Sequence, residues 1–231
     1  MRRCLAIIIA LASSCVVGGQ IAGTKPADPQ RGSSLYVHDD LDLAERLLDA
    51  LRPQKLSGQL EYRGTCEAVN SDIISLPPIS VAPPQYGKNG LLTVREMLGD
   101  NKDVSVTEQP PGIVRIRLPG VSGEILHTRI SRLSLNRDEQ YDPNQAVSAV
   151  LNAEEVESAM RRLNTNQALA VIVRQVRVPS KGAPHLGPFL KNVTVGEALA
   201  EILRTFRGVV VYDECTRPNG EGLFDINFYG S

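Results

Sequence analysis

The last stretch of the chain constrains the fold most. Val195, Ala198, Leu199, Ile202, Leu203 and Phe206 recur at three- and four-residue intervals, which sets them on one side of an α-helix and demands a surface to cover them. Gly208 ends that helix. Val209, Val210, Val211 and Tyr212 then predict a strand, residues 216–222 a polar turn, and Phe224, Ile226 and Phe228, alternating with Asp225, Asn227 and Tyr229, a closing strand. A helix with a broad apolar stripe followed by two strands predicts a helix packed on a sheet.

The start of this unit has an echo 101 residues earlier. Leu92-Thr93-Val94-Arg95-Glu96-Met97-Leu98 parallels Val193-Thr194-Val195-Gly196-Glu197-Ala198-Leu199. In both, a Thr is placed to cap a helix and a Glu three residues on can reach back to close a capping box. The first copy predicts a short helix over 94–98, strands over 104–107 and 113–118, and a turn at Pro110-Pro111-Gly112. The expected fold class is therefore α+β: two small sheet-and-helix modules, each a helix followed by two strands, joined by a helical middle segment. Their expected extents are 35–122 and 167–231, with a connector over 123–166.

Elsewhere, Asp39 or Asp40 caps a helix over 41–51 that Pro53 closes. Residues 59–65 alternate Leu60 and Tyr62 against Glu61 and Arg63, predicting a half-buried strand. Prolines 77, 78, 83 and 84 interrupt residues 73–85; proline cannot donate to a ladder, so this reads as an extended arm or sheet edge offered for contact. Residues 125–135 are extended, 143–151 and 153–163 are helical, the second with a box at Asn152 and Glu155. Residues 168–178 are strongly β-forming and apolar, suiting a central strand, and 179–188 form a loop.

Residues 1–23 have the form of an export signal: Arg2 and Arg3, then an apolar run over 5–17 too short to span a bilayer comfortably, then small residues. Cleavage after Gly19 and cleavage after Gly23 both fit. In a second reading Cys15 is a lipidation site, because Ala12-Ser13-Ser14-Cys15 loosely resembles a lipoprotein cleavage box, with Leu11 displaced by one. Residues 24–34 are an unstructured tether by composition. Removing residues 1–23 changes 25 basic residues against 26 acidic ones to 23 against 26, the loss being Arg2 and Arg3. That balance gives no electrostatic case for nucleic acid or an anionic membrane as partner. No transmembrane segment is expected in the mature chain.

Export and an even pair of remaining cysteines predict a disulfide between Cys66 and Cys215. His38, His127 and His185 lack any metal-ligand spacing, and no nucleophile elbow, phosphate loop or dinucleotide signature occurs. No metal, cofactor or catalytic residue is assigned. Ser131 or Ser134 near His127 is the one nucleophile-and-base pair that can be drawn. The local excess of Arg115, Arg117, Arg129 and Arg132 supplies candidate partner-binding residues: on neighbouring strands they would form a ridge for acidic protein segments or envelope polysaccharide.

The run Leu190-Lys191-Asn192-Val193-Thr194-Val195-Gly196-Glu197-Ala198-Leu199-Ala200-Glu201-Ile202-Leu203, followed by Gly208, residues 209–212 and Phe224-Asp225-Ile226, resembles the secretin and TonB short N-terminal domain. The resemblance covers roughly residues 186–230, and more faintly 88–118. It implies a βαββ module that docks onto other envelope proteins and does no chemistry. The chain departs from that family's larger members, since neither a pore region nor a receptor barrel follows Ser231. The expected role is thus a non-catalytic interaction module of the bacterial envelope, exported to the periplasm or secreted, or anchored through Cys15, with envelope proteins as partners. Two alternatives stand beside it: a secreted or periplasmic hydrolase with an unrecognised active site, and a ligand-binding or inhibitory protein.

Overall fold

In the computed structural model of the chain, residues 35–37, 39–66, 72–84, 89–109, 112–168 and 182–230 are described. The elements run β1 Leu35–Val37, α1 Asp40–Leu51, β2 Ser57–Arg63, β3 Thr65–Cys66, β4 Ile74–Ser75, β5 Ile79–Val81, α2 Gly90–Met97, β6 Ser105–Gln109 and β7 Ile113–Arg117. Then follow β8 Arg129–Ser134, α3 Arg137–Tyr141, α4 Pro143–Leu151, α5 Glu154–Leu163, β9 Thr165–Gln167, β10 Phe189–Thr194, α6 Val195–Phe206, β11 Gly208–Thr216 and β12 Gly222–Gly230. Helix and strand are mixed throughout, as an α+β reading requires.

Six strands form one sheet in the order β6-β7-β2-β11-β12-β9. β7, β2 and β11 run parallel; β6 and β12 flank them antiparallel, and β9 joins β12 in parallel. Strands from residues 35–122 thus hydrogen-bond directly to strands from residues 167–231. The expected connector contributes β8 and β9 as well as helices.

Each sheet face has its own core. On one, α1 and α2 bring Leu43, Leu47, Leu51, Val94 and Met97 onto Leu60, Tyr62, Val114, Ile116, Val209 and Val211. On the other, α4, α5 and α6 bring Val147, Val150, Val156, Leu199, Ile202 and Leu203 onto Val210, Tyr212, Phe224 and Ile226. Side chains alternate across the sheet, so a strand covered on both faces must be apolar or internally satisfied at every position. β2 meets that demand: Glu61, expected to face water, is fully buried. Alternation correctly marked its two faces but could not show that both are covered.

α6 forms as its stripe requires, with Val195, Ala198, Leu199, Ile202 and Leu203 buried. Thr194 closes the predicted box: its hydroxyl accepts the Glu197 N–H at 3.1 Å, and its own N–H donates to Glu197 Oε2 at 2.7 Å. At the far end the chain has no room for a side chain at Gly208, where a Cβ would sit 2.4 Å from the Tyr229 carbonyl oxygen.

The echo at Thr93 is not a second helix start. α2 begins three residues earlier, capped by Asn89, whose Oδ1 accepts the Leu91 N–H at 2.9 Å; Thr93 lies inside and its hydroxyl donates to the Asn89 carbonyl. The likeness is in letters, not in geometry. Replacing Thr194 by Ala is therefore expected to lower stability by about 1 kcal/mol through loss of the cap, whereas Thr194→Ser, which keeps the capping hydroxyl, is expected to lose little. Urea unfolding of the two variants checks this; equal losses would refute the assignment. The box expected at Asn152 and Glu155 is also absent: Ala153 precedes α5 without a side-chain cap, and Glu155 is engaged elsewhere.

The proline-rich arm is packed rather than offered. β5 pairs with β1, the Ala82 N–H donates to the Met97 carbonyl at 2.8 Å, and Leu76, Ile79 and Val81 are buried under α1 and α2. The prolines sit between apolar side chains that the core takes in. Cys66 and Cys215 form the expected disulfide, with their Cα atoms 5.6 Å apart. Of the expected central strand over 168–178, residues 169–178 lie outside the described residues. Among the described residues, no helix is long and apolar enough to cross a membrane.

Candidate interaction surface

The four candidate arginines have three different fates. Arg115 and Arg117, on β7, face Glu61 on the adjacent strand β2. Arg115 grips its carboxylate with both a 2.6 Å and a 2.8 Å contact, and Arg117 adds a third at 3.3 Å. Gln59 donates to the same carboxylate at 2.9 Å. Arg117 spends a further N–H on the Val121 carbonyl at 2.6 Å. Burying a carboxylate fully is costly unless such partners compensate it. These two guanidiniums therefore serve the fold and offer little charge outward.

Arg129 and Arg132 lie on β8, in a separate two-stranded ribbon with β10, so the continuous ridge of four does not form. The ribbon is kinked. Its inward residues on β8 are Ile130 and Leu133, three apart rather than two, because the ladder breaks at Ser131 opposite Asn192. Asn192 has φ of 53°, a left-handed backbone that Asn tolerates better than most residues. Arg129 fixes this kink by donating to both the carbonyl and the side-chain oxygen of Asn192. Ser131 meanwhile gives its N–H and its hydroxyl to Glu155 on α5. Those bonds hold the Glu155 carboxyl below the usual range, and they take up the serine proton that a nucleophile would have to give to His127.

Arg132 is the member left over. Lys191 stands directly opposite it on β10, a residue the sequence reading did not select. Like charges paired across strands repel, and among the described residues neither cation has a carboxylate partner. Both instead lie over one ring: the Arg132 guanidinium carbon is 4.7 Å and the Lys191 ammonium 5.7 Å from the centre of Phe189. Phe189 is 46% exposed, so a large apolar ring and two unneutralised cations share one outward patch. The sequence signal was present in Phe189-Leu190-Lys191, hidden by the expectation of a loop up to residue 188 and a helix soon after.

Beside the ribbon, His127, Arg129, Glu154, Glu155, Ser158 and Arg162 line an open cleft of about 600 Å³. A smaller cleft of about 180 Å³, at the carboxyl ends of β2 and β11, is lined by Arg63, Ser122, Glu124, Tyr212 and Glu214 among others. Its buried acid is fully engaged. Glu214 accepts the Ser122 N–H at 2.5 Å, the Ser122 hydroxyl at 3.0 Å, the Gly123 N–H at 3.2 Å and the Tyr212 hydroxyl at 2.7 Å. A carboxylate with four donors is a bracket holding residues 121–123 to β11, and a poor general base.

The opposite sheet face holds a buried acidic group. Asp213 and Asp225 are paired across β11 and β12, the Tyr62 hydroxyl from β2 donates to Asp213 Oδ2 at 2.9 Å, and among the described residues Asp213 Oδ1 has no partner. Nearby, Tyr229 of β12 donates to Asp40 at the start of α1 at 2.9 Å, and Asn227 donates to Asp225 at 2.8 Å. Burial, and then the facing Asp225, pushes the Asp213 carboxyl well above its ordinary range; burial also raises Asp225 and Asp40. A carboxyl whose folded pKa is raised contributes stability that is complete below the unfolded value, about 4, and is lost as pH rises through the folded value. Asp213→Asn is therefore expected to favour folding more at pH 8 than at pH 5, relative to the parent. Urea unfolding at both values checks this, and a pH-independent difference would refute it.

Among the described residues no group of three or more His, Cys, Asp or Glu side chains is arranged to hold a metal ion. No family model, curated protein or solved structure matches the chain.

Proposed function

We propose that this chain is an exported protein of the bacterial envelope that acts as a non-catalytic docking module, and that the outward face of the β8–β10 ribbon is its contact surface. The observation that carries the reading is the patch of Arg132, Lys191 and Phe189, where two cations without carboxylate partners among the described residues flank an exposed ring. Isolated exposed apolar residues are ordinary; an aromatic anchor coupled to a desolvatable cation has the composition of an interface hot spot. The form of residues 1–23 supports export. The order strand, helix, strand, strand over residues 189–230 supports likening this part to the secretin and TonB short N-terminal domain. In this reading it is one βαββ-type module, residues 35–122 supply the other, and both contribute to the shared sheet.

The test is capture from envelope extract by the immobilised protein and by a variant carrying Arg132→Glu and Lys191→Glu. The expected result is a discrete partner, cross-linked at the ribbon, that the parent retains and the variant releases. Recovery of no partner, with the pure protein turning over an envelope substrate, would refute the reading.

A further inference from the structure

We infer that the ribbon patch takes an acidic, extended peptide segment of its partner, with carboxylates two residues apart meeting Arg132 and Lys191 and an apolar side chain against Phe189. The inference rests on the docking reading above and adds the chemistry of what docks.

Three observations specify that occupant. Lys191 and Arg132 are in register on adjacent antiparallel strands, so they form a transverse pair of cations rather than a row. Such a pair lowers its own repulsion when carboxylates approach from outside, and Arg132 can take one through two parallel N–H bonds. An extended segment sends alternate side chains to one face, which matches two acids to two cations with the intervening residue turned away. Next, Phe189 lies beside the two cations with 46% of its surface exposed, so the ligand must also present something apolar. Last, the ribbon has only two strands among the described residues, so an extended segment can cross it along the line that joins Arg132 and Lys191.

The same observations argue against a polyanionic surface. The whole chain has a net charge of −1, Arg129 is spent on Asn192, and Arg115 and Arg117 are spent on Glu61. Two cations are too few to hold an acidic chain to an anionic membrane or polysaccharide, whose attraction grows with the number of basic groups engaged. A short peptide needs no more than two.

The experiment titrates the full chain into a dye-labelled octapeptide with two glutamates two residues apart, a leucine two residues further on the same face, and serine elsewhere, followed by fluorescence anisotropy. Controls are the octapeptide with glutamine for glutamate, and vesicles of phosphatidylglycerol. The glutamate peptide is expected to bind with an affinity that falls as salt rises, and the glutamine peptide at least tenfold more weakly. Arg132→Glu with Lys191→Glu should weaken the glutamate peptide tenfold or more, and Phe189→Ala about fivefold; circular dichroism confirms that both exposed-site variants fold. Equal binding of the two peptides, an unchanged affinity in the double variant, or tighter association with vesicles than with peptide would each overturn the inference. If the double variant still captures the envelope partner while losing the peptide, the peptide inference falls and docking elsewhere on the protein stands.

Discussion

Replacing both Cys66 and Cys215 by Ala is expected to lower the unfolding free energy by about 4 kcal/mol, measured by urea denaturation of parent and variant. The bond spans a sequence separation of 149. Closing so long a loop removes much of the freedom of the unfolded chain, and the loop-entropy relation gives about 5 kcal/mol as its ceiling. Cys215 is nearly buried at the end of β11, and Cys66 follows β2, whose neighbour in the sheet is β11. The crosslink therefore ties together two ends that native pairing already brings near, without recruiting a distant element. A loss under about 1 kcal/mol would refute loop closure as the source of its effect. Reductant should reproduce the double variant in the parent and leave the variant unchanged.

The second large effect is at Glu61. Its carboxylate is fully buried, while the Arg115 and Arg117 side chains it joins are 24% and 33% exposed. Breaking a fully buried ion pair costs about 3–5 kcal/mol because the remaining charge is stranded. Here the arginines keep some water, so Glu61→Gln is expected to cost about 2–3 kcal/mol. Replacing Glu61, Arg115 and Arg117 together with Leu should restore much of that loss, since no charge is left unpaired. Chemical denaturation of the single and triple variants measures both; a triple variant worse than the single would show that the cluster stabilises beyond the needs of its own members.

Glu61 also marks where the sequence stopped being informative. Alternation in residues 59–65 correctly separated Leu60 and Tyr62 from Glu61 and Arg63, because side-chain direction is a local property. Whether the second face meets water depends on α6 and β11, which lie far along the chain. The same limit made Arg115 and Arg117 look available. α6 was legible because its stripe, cap and stop are all local, and the disulfide followed from an expectation of export and an even pair of cysteines. The echo at Thr93 misled because a cap is defined by backbone geometry, and Asn89 took the position first. The ribbon's outward face was hidden by one residue: the left-handed turn at Asn192 shifts which side chains point out, and no two-residue period can follow it. Arg132 was found among three arginines that the fold consumes, and Lys191 became visible only once register placed it opposite.

The position of β2 has a consequence for how the molecule is made. This strand, complete by residue 63, lies between β7 and β11, and β11 begins only at Gly208. Synthesis delivers the amino-terminal part first, so β2 waits with one flank unzipped until Gly208 and the residues of β11 have emerged. Contacts this remote are slow to form and leave an open strand exposed to wrong partners meanwhile. Assembly is thereby tied to arrival of β11, and a chain cut short before Gly208 would never close its central seam.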